Sequence, residues 1–255
     1  MYKEERQRII SDLISKNSSI NVAELAKAFK ASPMTIRRDL SELEQQGLLI
    51  KTYGGAIATA NLSLDGNEHL DDRMKLLAAE KRRIANYIAR MIEPSEMIFL
   101  GSGTTTTFIA KALSFRTDIT VVTNALTVME ELASNANMTL IGIGGFLRRN
   151  EYSFYGHFTE SILKDLHVNK VIMGIRGIHP SRGLTTDFPQ EMQTDRMIMQ
   201  TSENVIIAAD RTKIGYVASS ALAPLSAARI IVTTEGVDPI LIQQIRNKHV
   251  RVEIV

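Results

Sequence analysis

Apolar positions in the first sixty residues recur at helical spacing in three short runs, and beyond them they collect into strand-length clusters separated by helix-length segments. Ile9, Ile10, Leu13 and Ile14 form two pairs four apart and predict a helix over Lys3–Ser15, broken by Asn17, Ser18 and Ser19. Asn21 with Glu24 has the spacing of a capping box. Val22, Leu25, Ala26 and Phe29 share one face, so a second helix is predicted, ending near Lys30. Ser32 suits an N-cap and Pro33 the first helical position, where a missing amide loses no partner. The helix begun there buries Ile36, Leu40 and Leu43, while its opposite face presents Met34, Arg38 and Ser41, flanked by Thr35 and Arg37. Gly47 stops it, and Leu48, Leu49, Ile50, Lys51, Thr52 and Tyr53 before Gly54 and Gly55 predict a β-hairpin.

Between Ala58 and Asp72 the period fades and Asn, Ser, Gly and Asp dominate, as in a linker. A charged helix with Ile84, Ile88 and Met91 on one side is predicted from Arg73 to Met91. Strands are predicted over Met97–Leu100, Ile119–Thr123, Thr139–Ile143, Val171–Gly174, Val205–Ala208, Ile230–Thr233 and Arg251–Val255. Helix-length pieces lie between most of them, the pattern of a mainly parallel α/β sheet covered on its faces. The expected organisation is a small domain at 1–58, a linker at 59–72 and a large domain at 73–255.

Of the 255 residues 44% are hydrophobic and 23% charged, which suits a globular chain with more than one core. The absence of cysteine excludes disulfides, thiolate metal sites and a thiol nucleophile. The longest run without charge, Leu132 to Leu147, holds serine, asparagine, threonine and glycine and is no membrane span; Met1 to Arg8 lacks the apolar segment of a secretory signal. A cytoplasmic protein is expected. The net charge of +2 is uneven: residues 1–60 hold nine Lys and Arg against seven Asp and Glu, and the remainder is balanced. The whole excess lies where an acidic partner would be met.

Three short helices followed by a hairpin with a basic edge make a winged helix-turn-helix. Its third helix would enter the major groove, with Arg37 and Arg38 reaching guanine edges or phosphates and Thr35 a base or the backbone. Ser32 and the first amides would face a phosphate, Lys51 and Tyr53 would touch the backbone from the wing, and Asp39 would pin an arginine or backbone group. A three-helix interaction domain with a solvated polar face fits the same pattern. In the large domain, Gly101-Ser-Gly-Thr-Thr-Thr-Thr follows a strand and opens a helix running to Leu113. Amides, hydroxyls and a helix N-terminus converging there suit a phosphate, and the same spacing suits a capped strand-to-helix turn. The loop lacks the lysine of a Walker loop and the third glycine of a dinucleotide fingerprint, so no nucleotide cofactor is expected. Thr123-Asn124, Gly144-Gly145 with Arg148 and Arg149, and Asp210 to Lys213 end other strands, where Arg148 and Lys213 could supply countercharge. Glu191 and Asp195, four apart on a helix, could bind sugar hydroxyls or solvate that helix.

The stretch Ser32-Pro-Met-Thr-Ile-Arg-Arg-Asp-Leu-Ser-Glu-Leu-Glu-Gln-Gln-Gly-Leu-Leu, closed by Tyr53-Gly-Gly-Ala, resembles the DNA-binding signature of DeoR-family transcriptional regulators. The large domain is similar to that family's sensor domain in the blocks Gly101 to Thr106, Val122-Thr-Asn-Ala125, Gly144-Gly-Phe-Leu-Arg-Arg149, Ser153-Phe-Tyr-Gly156 and Ala209-Asp-Arg-Thr-Lys-Ile-Gly215. The resemblance implies a sensor related in fold to sugar-phosphate isomerases and coenzyme A transferases, and a repressor of a carbohydrate operon responsive to a phosphorylated sugar. By the same resemblance the effector lies at Ser102, Gly103, Thr104, Thr105 and Thr106, with Asn124, Gly145, Arg148 and Lys213 nearby. Many members carry Asp where this chain has Gly101, which leaves effector specificity open. Operator DNA and a second copy of the chain, as homodimer or homotetramer, are the expected partners. The rival is a sugar-phosphate isomerase-like enzyme with an appended reader, but no nucleophile elbow accompanies the fold, and His69, His157, His167, His179 and His249 are scattered.

Overall fold

The computed structural model describes residues 3–17, 19–45, 49–52, 55–58 and 70–255. The chain divides into two units, Met1–Glu68 and His69–Val255.

In the small unit, α1 (Lys3–Asn17), α2 (Val22–Phe29) and α3 (Pro33–Gln45) enclose Ile10, Val22, Leu25, Ile36, Leu40 and Leu43. These are the apolar positions the helical period singles out, with Leu13 and Phe29 packed against them. Lys30 closes α2 in the left-handed region, φ 50°, while the Ala31 amide donates back to the Ala26 carbonyl at 3.0 Å. β2 (Leu49–Thr52) and β3 (Gly55–Ala58) form the antiparallel wing. Ser19 belongs to a third strand of that sheet, β1 (Ser19–Asn21), which pairs Ile20 with Ala56. The polar run predicted only to break α1 therefore also closes the wing, since backbone pairing needs no apolar side chain.

The large unit opens with α4 (Leu70–Lys75) and α5 (Ala78–Arg90) rather than one helix from Arg73 to Met91. Leu77 between them has φ 51°, a conformation costing a residue with a Cβ about 1–2 kcal/mol. The buried Lys81 ammonium offsets that cost by donating to the carbonyls of Arg73 and Leu76 at the end of α4. Of the linker expected at 59–72, residues 59–69 lie outside the described residues, and Leu70–Asp72 are helical.

Seven strands form one parallel sheet: β4 (Met97–Leu100), β5 (Thr120–Thr123), β6 (Thr139–Gly142), β9 (Lys170–Met173), β12 (Val205–Ala208), β14 (Ile230–Thr233) and β15 (Arg251–Ile254). Their order is β15-β14-β12-β9-β4-β5-β6. Alternate residues point into two cores. Ile98 and Leu100 join α5, α6 (Thr104–Leu113) and α7 (Leu126–Leu132) on one face. Phe99 joins α8 (His157–Leu163), α9 (Met192–Gln200) and α10 (Pro239–Arg246) on the other. Two short antiparallel pieces complete the unit: the hairpin β7 (Phe146–Arg148)–β8 (Ser153–Tyr155), and a sheet of β10 (Gly177–His179), β11 (Gly183–Thr186) and β13 (Ser220–Ala223). The chain leaves β4 toward β5 and β6, then returns to place β9 on the other side of β4. The direction of winding reverses between β4 and β9, and a crevice opens beyond the carboxyl ends of such a pair.

Candidate functional site

On α3 the outward face is polar and basic. Met34, Arg37 and Arg38 are exposed, and Thr35 and Ser41 are half-buried. Arg38 has its side chain 82% accessible and Glu42 3.6 Å away, one helical turn on. The Lys3 and Gln7 hydrogen bonds hold the Glu42 carboxyl below its usual range. Ser32 caps the helix as its position predicts: its hydroxyl accepts from the Thr35 amide at 3.1 Å and lies 2.9 Å from the Thr35 hydroxyl. Both groups thus serve their own helix as well as facing outward. Asp39 is buried and takes the Arg6 guanidinium in two hydrogen bonds, at 2.5 and 3.1 Å, locking α3 to α1. Lys51 lies in β2 opposite Ala56, and Tyr53 lies outside the described residues.

At the switch point, Gly103 has φ 122° and ψ 169°, a conformation closed to residues with a Cβ, and it delivers the chain into α6. The loop lies against β9, where a Cβ on Gly174 would stand 3.3 Å from the Ser102 carbonyl oxygen. Of the two roles open to this loop, capping of the turn falls to two of its threonines. Thr106 and Thr107 turn their hydroxyls back to the Gly103 carbonyl, at 2.8 and 2.9 Å. Thr106 is fully buried and so holds the loop's shape rather than facing the crevice. Among the described residues the hydroxyls of Ser102, Thr104 and Thr105 have no hydrogen-bond partner. The first amide of α6 to find an intrahelical carbonyl is that of Thr107, which leaves the first-turn amides before it for another acceptor.

The next strand end is tied to this one. The Thr123 hydroxyl donates to the Leu100 carbonyl at 2.6 Å, and the Asn124 amide group donates to the Phe154 carbonyl at 2.8 Å. Asn124 is buried, and its Oδ1 has no partner among the described residues. Gly145 packs so closely that a Cβ would stand 2.1 Å from Thr159 Oγ1 and 2.7 Å from the Tyr155 carbonyl oxygen. Its place is set by these neighbours. Arg148 is not a free cation: its guanidinium donates to Glu191 at 2.7 Å and lies 3.1 Å from the centroid of the Phe188 ring. Glu191 is buried and also accepts from the Ser153 hydroxyl at 2.6 Å, so it does not merely solvate a helix. It closes a 3-10 turn, Pro189–Glu191, just ahead of α9. Asp195, in the first turn of α9, has its pKa pushed up to about 8, by burial first and then by Glu191 and Glu151, with Arg148 opposing. Lys213 ends the turn Arg211–Lys213, which Asp210 caps by accepting from the Thr212 amide at 3.0 Å.

Residues that no local pattern marks complete this edge. Arg73 is ion-paired to Glu151 at 2.7 Å, and Arg176, just beyond β9, to Asp187 at 2.9 Å. The first pair joins segments distant in sequence, which only the topology brings together, whereas the second flanks the short β10–β11 hairpin. A cavity of about 480 Å³ lined by Pro180, Arg182, Arg196 and Lys248, among others, shares no residue with these groups.

The profile of the DeoR-like helix-turn-helix domain matches residues 6–61, and that of the DeoR C terminal sensor domain matches residues 77–235. The lactose phosphotransferase system repressor of Streptococcus mutans is 33% identical over 217 residues, 84% of this chain and 85% of its own. Transcriptional repressor AccR of Agrobacterium fabrum is 31% identical over 93% of this chain and 92% of its own, and the regulator IolR of Bacillus subtilis 29% over 90% of each. Among solved structures, ribose 5 phosphate isomerase A of Neisseria gonorrhoeae overlaps 54% of this chain and 53% of its own at 17% identity, with a TM-score of 0.39. The sorbitol operon regulator SorC of Klebsiella pneumoniae overlaps 99% of this chain and 96% of its own at 12% identity, also at 0.39.

Proposed function

Because the chain belongs to the DeoR family of transcriptional regulators, we propose that it represses a carbohydrate-utilisation operon and releases its operator when a phosphorylated sugar or sugar derivative binds the large unit. Residues 1–58 are the reader and 70–255, from the start of α4, the sensor, with the linker between them. Arg37 and Arg38 are the principal DNA contacts, with Ser32, Met34, Thr35 and Ser41 around them and Lys51 and Tyr53 on the wing. The effector's phosphate sits on Ser102, Gly103, Thr104 and Thr105, shaped from beneath by Thr106. Asn124 offers its buried Oδ1 to a ligand hydroxyl, Gly145 keeps the adjoining turn close, Lys213 contributes positive charge, and Arg148 does so on leaving Glu191. The relatives named as repressors, one of a lactose phosphotransferase system, support the carbohydrate reading.

One observation carries the effector half of this reading. At the reversal of winding, unspent hydroxyls and unpaired first-turn amides meet in a single loop, and this donor set matches a phosphate dianion. The regulator works as a cytoplasmic homodimer or homotetramer, since paired readers on paired half-sites multiply specificity. A thermal-shift panel of sugar phosphates tests it, because a ligand of the native state at a hundred times its Kd stabilises by about 2.7 kcal/mol. Thr104→Val with Thr105→Val should abolish the shift while leaving operator affinity unchanged. A full shift in the double variant would place the phosphate elsewhere. Turnover of any panel compound would favour the isomerase-like alternative.

A further inference from the structure

Four charged side chains form a line of alternating sign through the large unit. Arg73 on α4 lies 2.7 Å from Glu151, Glu151 lies 3.9 Å from Arg148, and Arg148 lies 2.7 Å from Glu191. None of the four side chains is more than 17% accessible. Glu151 stands in the middle, shared by two guanidinium groups, in the loop that joins β7 to β8.

The element at the end of this line is α4. It is six residues long, too short to persist by itself, so tertiary contacts alone determine where it rests. Those contacts are particular: Leu70 is buried, Met74 packs into the core around α6, Lys81 holds the last carbonyls, and Arg73 reaches Glu151. Leu77, in the left-handed region, joins it to α5. α4 is also the first described element of the large unit, on the segment that arrives from the wing. An element this short is one that a small change in charge can loosen or fasten.

We infer that Glu151 is a coupling residue, which makes the docking of α4 depend on how firmly Arg148 is engaged elsewhere. This rests on the effector reading above for its trigger, an anion arriving beside Arg148, but the coupling itself resides in the protein. When Arg148 is drawn away, Glu151 keeps Arg73 as its sole countercharge among the described residues, their pair tightens, and α4 is held more firmly. Glu151 touches neither phosphate nor DNA in this scheme; it relays.

The test needs no effector. Hydrogen exchange of the α4 amides is measured in the full-length wild type, in Arg148→Gln, in Glu151→Gln and in the double variant. Withdrawing Arg148 should slow α4 exchange at least threefold, and should do nothing in the Glu151→Gln background, where exchange is uniformly faster than in the wild type. A purely structural role for Arg148 predicts the opposite sign, because lost packing speeds exchange. Unchanged or faster α4 exchange in Arg148→Gln, or an equal effect in both backgrounds, would overturn the coupling. If Arg148→Gln does not fold, Arg148→Met, which keeps the apolar stem but removes the charge, is read by the same criteria. Protection of the amides at 103–106 by inorganic phosphate, against chloride of equal ionic strength, is followed alongside. Its absence would count against the effector site and leave the exchange result standing.

Discussion

Arg38 is the most informative single side chain of the small unit. It projects into solvent, and among the described residues its close acidic neighbour, Glu42, is already engaged by Lys3 and Gln7. Such a surface pair contributes at most about 0.5 kcal/mol to the fold. Arg38→Ala should therefore leave the thermal midpoint in place and weaken operator binding by about 1–3 kcal/mol in an anisotropy titration; unaltered affinity would remove α3 from the groove. Asp195 carries the converse lesson. Its folded pKa of about 8 lies far above the carboxylate's ordinary value, so between roughly pH 4 and 8 the folded chain binds more protons than the unfolded one. Stability from this group is fully present at low pH and is lost as pH rises through 8. Asp195→Asn should hence stabilise progressively from pH 4 to 8, a displacement of one pH unit being worth about 1.4 kcal/mol. A denaturation series in which the variant gains nothing at pH 8 would refute this. The sequence marks Arg38 by helical period and Asp39 by the repulsion its carboxylate would meet from phosphates, but it cannot show that Arg148 meets Glu191, because that pair is made by a fold and not by a spacing.

Elements divide in the same way. Three of the seven parallel strands, Met97–Leu100, Val205–Ala208 and Ile230–Thr233, have the ends their apolar runs predict, and the other four differ by a residue or so. A strand buried on both faces must be continuously apolar, so it announces itself. β7, β8 and β10 are three residues each, and β10 and β11 begin at glycine; such pieces carry too little hydrophobic pattern to read. Nor does any glycine or proline mark the joint at Leu77, where the constraint comes from Lys81 capping α4. Close approach at Gly145 gives the hairpin region its own test. Gly145→Ala drives a methyl group into the Tyr155 backbone and the Thr159 hydroxyl, which is itself committed to the Gly144 carbonyl at 2.9 Å. Overpacking of this kind should cost about 1–3 kcal/mol by chemical denaturation, and a variant as stable as wild type would mean the hairpin can shift freely.

For the molecule as a whole, the order of the central strands governs when the candidate seat comes into being. β4 and β9 pair Phe99 with Val171 and Leu100 with Ile172, across a long stretch of intervening chain. Contacts so far apart in sequence close slowly. A nascent chain that has emerged only as far as β6 would own the glycine loop but not the wall against which it rests. With the effector seated at this loop as proposed, its capture belongs to the finished unit and cannot guide assembly: a bound sugar phosphate should lengthen the lifetime of the native protein without hastening its formation.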